Sequence, residues 1–217
     1  MSGVLVVVTT RKKLGSPIKS LSLDVLLPEQ SLELLTVLIG EIRVQQELEI
    51  ATTLCNWLEH LPLAIELVGH YLLERADLSL SSLLFRLQEK AQQRQGTKHA
   101  AFKQNEEISV LTHRHGLEAA FELSWSELDN NSQHLGKLLS LFASAPIPWS
   151  LVEAVEQKYC EGCDQIFDAE LLEESRIKLL YWYLLKINSV SSQIYRLHSL
   201  VREFFRSKLE GEADVDY

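Results

Sequence analysis

Cys160-Glu161-Gly162-Cys163 is the short stretch in which reactive side chains stand closest together at a spacing that chemistry uses. Two thiols in a C-x-x-C can exchange a disulfide or supply half of a zinc site. A structural zinc needs two further ligands, however, and no second C-x-x-C exists. His113 and His115 lie far away in sequence, in a stretch that reads as a linker. The pair is therefore read as a loop bearing ordinary thiols. With Cys55 the total is three, too few and too odd a number for a disulfide scaffold. The chain has no G-x-x-x-x-G-K-[ST] phosphate loop, no G-x-G-x-x-G, no G-x-S-x-G elbow and no H-E-x-x-H pair. No catalytic residue, no metal site and no enzymatic activity are expected.

Three other residues have chemistry suited to a phosphorylated ligand. Arg11 follows the run Val4–Val8, whose branched apolar residues read as a strand buried on both faces. Ligands of open α/β sheets bind beyond the carboxyl ends of the strands, and a guanidinium suits phosphate. The plain alternative is a solvated charge at a strand exit. Pro62 stands between two helical patterns, where a first-turn proline loses no helix hydrogen bond. His198 falls where a strand meets a helix, so its ring either meets an anion or merely caps the helix.

The elements that hold these residues follow from periodicity. After the strand at Val4–Val8, Leu21, Leu23 and Val25 alternate with polar residues and predict a second, half-exposed strand. From Glu29 onward Leu32, Leu35 and Leu38 mark a helix. Ile50, Leu54, Trp57, Leu58 and Leu61 form an apolar stripe on the next, and Ile65, Val68, Tyr71 and Leu72 resume it beyond Pro62. Leu78–Lys90 predicts a short helix. Gln92–Thr112, rich in Gln and charge without a period, predicts a linker.

Beyond it, Leu117, Phe121, Trp125 and Leu128 mark one helix face, and Leu135, Leu138, Leu139 and Phe142 another. Ser150 suits the N-cap of a further helix, and Leu171, Leu172 and Ile177 belong to one more. The aromatic and aliphatic run IKLLYWYLLKI predicts a strand that a polar turn returns as QIYRLH. A last amphipathic helix carries Leu200, Val201, Phe204, Phe205 and Leu209. Helices followed by a hairpin predict a winged-helix unit.

The 217 residues carry a formal net charge of -9, which argues against broad attraction to nucleic acid or to an anionic membrane. No apolar run approaches the roughly 20 residues that span a bilayer, and nothing has the pattern of a signal peptide. A cytoplasmic protein is expected.

Five stretches, VLVVVTTR, LEHLPLAIELVGHYL, LEAAFELSWSEL, FASAPIPWSLVEAV and YRLHSLVREFFRSKL, occur in an order that resembles the NB-ARC-type nucleotide-binding domains of STAND signal-transduction ATPases. The bacterial forms followed by tetratricopeptide repeats are the most similar, and the resemblance runs from about Val4 to Leu209. It implies that Arg11 is the sensor arginine facing a nucleotide γ-phosphate. It further implies that Pro62 is the proline set against adenine in the family's GLPL corner, and that His198 is the MHD histidine facing the ADP β-phosphate. His60 stands at the family's glycine position in that corner, and Leu197 and Ser199 stand where the family has Met and Asp.

In the family the Walker A and Walker B elements precede the sensor strand. The resemblance is thus to the C-terminal part of a module, expected as a truncated product or one piece of a split protein. The expected fold is mainly α: residues 1–27 as the remnant of a parallel α/β nucleotide-binding sheet, 28–92 as a helical domain, 93–112 as a linker, and 113–210 as a winged-helix domain with a β-hairpin. The expected function is a piece of a signalling switch that contributes contacts to ADP or ATP without hydrolysing it. Its expected partners are a segment or protein bearing the phosphate loop, and further copies of itself. A winged-helix DNA-binding regulator is the alternative; against it, Leu151–Gln157 carries Glu153 and Glu156 and no cation.

Overall fold

The computed structural model describes residues 21, 24–96, 115–162, 167–189 and 193–213. The expected strand at Val4–Val8 lies outside them, as does most of the expected linker. Among the described residues the chain is mainly helical, in keeping with the expected mainly α class, with one small antiparallel sheet.

Helix α1 (Pro28–Ile39) starts on a proline, and the Gln30 side-chain oxygen accepts the Leu27 N–H at 3.1 Å. Gly40, at φ 89°, separates it from the short α2 (Glu41–Gln46). Helix α3 (Leu48–Trp57) buries Ala51, Leu54 and Cys55, and α4 (Pro62–Glu74) buries seven residues spread round its circumference. Helix α5 (Leu80–Gly96) runs well beyond Lys90, into the stretch read as linker.

The expected strand through Leu21 and Val25 does not form among the described residues. Leu21 and Asp24–Leu27 belong to no strand, and Leu21 and Val25 are exposed. The Leu26 N–H donates instead to the His60 carbonyl at 3.1 Å.

The second half opens with α6 (His115–Ser126) and α7 (Asn130–Leu141). Asp129 caps α7 by accepting the Ser132 N–H at 2.8 Å. Strand β1 (Ile147–Pro148) leads directly into α8 (Trp149–Gly162), one residue before the expected Ser150 cap. Asp168 then caps α9 (Ala169–Tyr181). Strands β2 (Lys186–Ser189) and β3 (Ile194–Arg196) form an antiparallel hairpin, and β1 pairs with β3 to give the order β1-β3-β2. Helix α10 (Ser199–Ala213) closes the fold, with Val201, Phe204 and Phe205 buried.

The run IKLLYWYLLKI is corrected by the structure, because its first half is helix. Asp168 starts α9, and Leu172, Ser175 and Leu179 meet the core at helical spacing, so Ile177–Tyr181 continue the helix. The helix ends with Tyr183 at φ 56°, where the Leu184 N–H reaches the Leu179 carbonyl at 2.9 Å and the Tyr183 N–H the Leu180 carbonyl at 3.0 Å. That pair of bonds is a Schellman stop. Only Lys186–Ser189 remain for the strand.

The two halves meet where α4 and α5 pack on α6, and there the backbones approach closely. A Cβ on Gly116 would lie 2.8 Å from the Trp57 carbonyl oxygen and 3.2 Å from the Leu58 Cα. Both are backbone atoms that cannot rotate away. Gly116→Ala is therefore expected to cost about 1–3 kcal/mol in urea unfolding. Gly162→Ala, whose added methyl meets nothing within 4 Å, is expected to stay within about 0.5 kcal/mol of the parent.

Candidate functional site

Of the three residues singled out for a phosphorylated ligand, Arg11 lies outside the described residues. Pro62 and His198 are both described, on different elements.

Pro62 is the first residue of α4 and is exposed. The elbow that presents it is built by the end of α3. The His60 N–H reaches back to the Cys55 carbonyl at 3.0 Å, and the Glu59 N–H to that of Asn56 at 2.9 Å. This is again a Schellman stop, which sends the chain sharply into the proline.

His198 precedes α10, and its ring caps that helix. Nδ1 accepts the Leu200 N–H at 3.2 Å, while the His198 carbonyl accepts the Arg202 N–H at 2.9 Å. With Nδ1 as acceptor, the proton of the neutral ring sits on Nε2. Partial burial, then the nearby Lys186 and Arg196, push the imidazole below its ordinary value, with Glu66 and Glu203 opposing them. The result is a neutral donor edge at a helix N-terminus, flanked by two cations.

Glu66 links the two positions. It lies one turn beyond Pro62 on α4 and ion-pairs with Lys186 of β2 at 3.0 Å. One turn further, His70 stacks on Tyr183 with ring centroids 3.2 Å apart and planes within 6°. Burial, and after it Lys186, push His70 below its ordinary value against the pull of Glu66. Its Nδ1 is buried without a hydrogen-bond partner among the described residues. Pro62, Glu66 and His70 thus follow one another at four-residue spacing on α4, and Glu66 and His70 meet the hairpin unit to which His198 belongs. Sequence reasoning missed Glu66 and His70, although the i, i+4 spacing from Pro62 was there to be read. Lys186 and Tyr183 carried no comparable signal, since only the fold brings them to α4.

The C-x-x-C does not form a described site: Cys160 is buried in α8 and Cys163 lies outside the described residues. Among the described residues no group of three His, Cys, Asp or Glu could hold a metal ion. No helix among them is long and apolar enough to cross a membrane.

Both rings titrate below an unfolded-chain histidine, so the unfolded chain takes up protons first as the pH falls below about 6.5. The stability that depends on neutral His70 and His198 is complete above that pH and is lost on acidification. Urea midpoints at pH 7.5 and 5.5 are expected to differ less in a His70→Phe/His198→Asn double variant, which keeps the stack and the cap, than in the parent. An equal drop in both would mean that the folded rings titrate as exposed histidines do.

No family model matches the chain. Among curated proteins it is similar to the Regulatory protein AfsR of Streptomyces coelicolor, at 26% identity over 188 residues that make up 87% of this chain. The matched stretch spans only 16% of that much longer relative.

Proposed function

We propose that the chain is the sensor-to-winged-helix part of a nucleotide-dependent signalling switch of the NB-ARC type, and that it lends Arg11, Pro62 and His198 to a bound ADP or ATP. The observation that carries this reading is the neutral His198 edge at the start of α10, beside Lys186 and Arg196 and within the field of Glu66 one turn from Pro62. Hydrogen-bond donors and positive charge at a helix N-terminus suit a phosphate. The element order α7–β1–α8–α9–β2–β3 with sheet order β1-β3-β2 supports reading 113–210 as a winged helix. The likeness to a regulatory protein supports a regulatory role.

In this reading 1–27 end the nucleotide-binding sheet, 28–92 are the helical domain and 93–112 link it to the winged helix. The phosphate loop comes from a partner or a segment beyond the residues given, and the switch works in the cytoplasm. Closure of the winged helix over ADP holds it off, and exchange for ATP opens it and permits self-association. Without the loop's backbone cradle, lysine and magnesium ligands, the chain is not a catalyst.

Calorimetry with ADP and with MgATP is expected to show binding weaker than about 10 µM and no turnover, since most phosphate recognition is missing. Tighter binding or measurable hydrolysis by this chain would overturn the proposal. Once a phosphate-loop portion is supplied, His198→Ala is expected to weaken ADP about tenfold, the worth of one hydrogen bond to a charged group.

The DNA-binding alternative draws on the same topology, in which α9, and not the Leu151–Gln157 stretch of α8, would be the recognition helix. Its cations are already committed: Lys178 to Asp129, and Arg176, nine-tenths buried, to Glu173 and the faces of Trp149 and Tyr195. Glu170 and Glu174 stay on its surface. A gel-shift assay on duplex DNA at low salt is expected to show no complex; a complex there would favour this alternative.

A further inference from the structure

Pro62 owes its orientation to the two residues at the elbow. Glu59 and His60 have φ of 55° and 56°, the left-handed region that a residue with a Cβ enters only when its surroundings require it. His60 is committed at three points. Its N–H donates to the Cys55 carbonyl, its carbonyl accepts the Leu26 N–H at 3.1 Å, and its Nδ1 lies 2.8 Å from Ser31 Oγ. The Ser31 hydroxyl donates to the Pro28 carbonyl at 2.7 Å, so His60 Nδ1–H is the donor of the pair. Ser31 has no exposed surface. One residue therefore ties three pieces together: its carbonyl holds the chain entering α1, its ring the first turn of α1, and its N–H the elbow that ends in Pro62. A glycine would take the same turn more easily and keep the two backbone bonds, but it would lose the bond to Ser31.

The geometry points to His60 as a positioning residue: its clasp on Ser31 holds Pro62 and the segment entering α1 in one fixed relation, so that movement of either is passed to the other. The clasp gains its functional meaning from the proposed nucleotide corner, but its test needs no nucleotide. Failure of the clasp and failure of that proposal are therefore separate results.

Native-state amide exchange on the full chain, followed at Leu26 and at amides of α1, α4 and α9, tests it. His60→Gly and Ser31→Ala are each expected to speed exchange at Leu26 about tenfold, with α9 unchanged, as for the local loss of one hydrogen bond. Asparagine tolerates the left-handed region and carries an N–H donor. His60→Asn is therefore expected to return Leu26 exchange to within about threefold of the parent. The inference fails if His60→Gly leaves Leu26 exchange unchanged. It also fails if Asn does no better than Gly, or if exchange rises equally in α9, which would mark a general loss of stability.

Discussion

Helix α4 must be covered on more than one side, and the arrangement of the other described elements follows from that constraint. Ala64, Ile65, Leu67, Val68, Gly69, Tyr71 and Leu72 are all buried, far more than one face of a helix. Helix α1 covers one side so closely that a Cβ on Gly69 would meet Leu38 at 2.5 Å. Helix α6 covers another. What remains is a partly polar edge, where Tyr71 donates to Glu127 at 2.9 Å, Arg75 lies 3.3 Å from the same carboxylate, and Glu66 pairs with Lys186. The second half thus rests on α4 through an apolar seat with a polar margin, and the candidate site lies along that margin.

The ionic groups of this acidic chain are largely used to finish helices. Arg43 of α2 donates to the Leu72 carbonyl at 2.6 Å and the Arg75 carbonyl at 3.1 Å, closing the end of α4. Between α2 and α3, Glu47 accepts the N–H groups of Leu80 and Ser81 and so opens α5. Arg206 reaches the Ser140 carbonyl at 3.0 Å and Arg202 that of Phe142, both at the end of α7. Cations meet helix carboxyl ends and carboxylates meet amino ends, as the helix dipole favours. At Asp129 the Lys178 ammonium and the capped Ser132 amide hold the carboxyl down at about 2. These groups join elements together and are not offered to a polyanion.

The sequence reading was most successful where a pattern was both local and buried. The stripes around Leu54, around Ile65 and Val68, around Leu135, and around Val201 and Phe205 all face the core. It was least successful where apolar character was mistaken for burial. Leu171 and Ile177 are exposed on α9, and Leu21 and Val25 are exposed outside any strand. The run Ile177–Ile187 is rich in strand formers, yet a cap at Asp168 and a left-handed Tyr183 divide it into helix, turn and strand. Propensity cannot locate such a stop, because its hydrogen bonds form only after the helix has closed.

By itself the sequence determined the helical character of the chain, the proline start of α4 and the hairpin near the end, because each depends on neighbours within a few residues. Tertiary structure alone decided that Glu66 and His70 meet Lys186 and Tyr183, since those residues lie more than a hundred positions away along the chain. It likewise decided that His60 bonds a buried serine on another helix. A side chain's partner across the core depends on packing, and packing is a property of all the elements together.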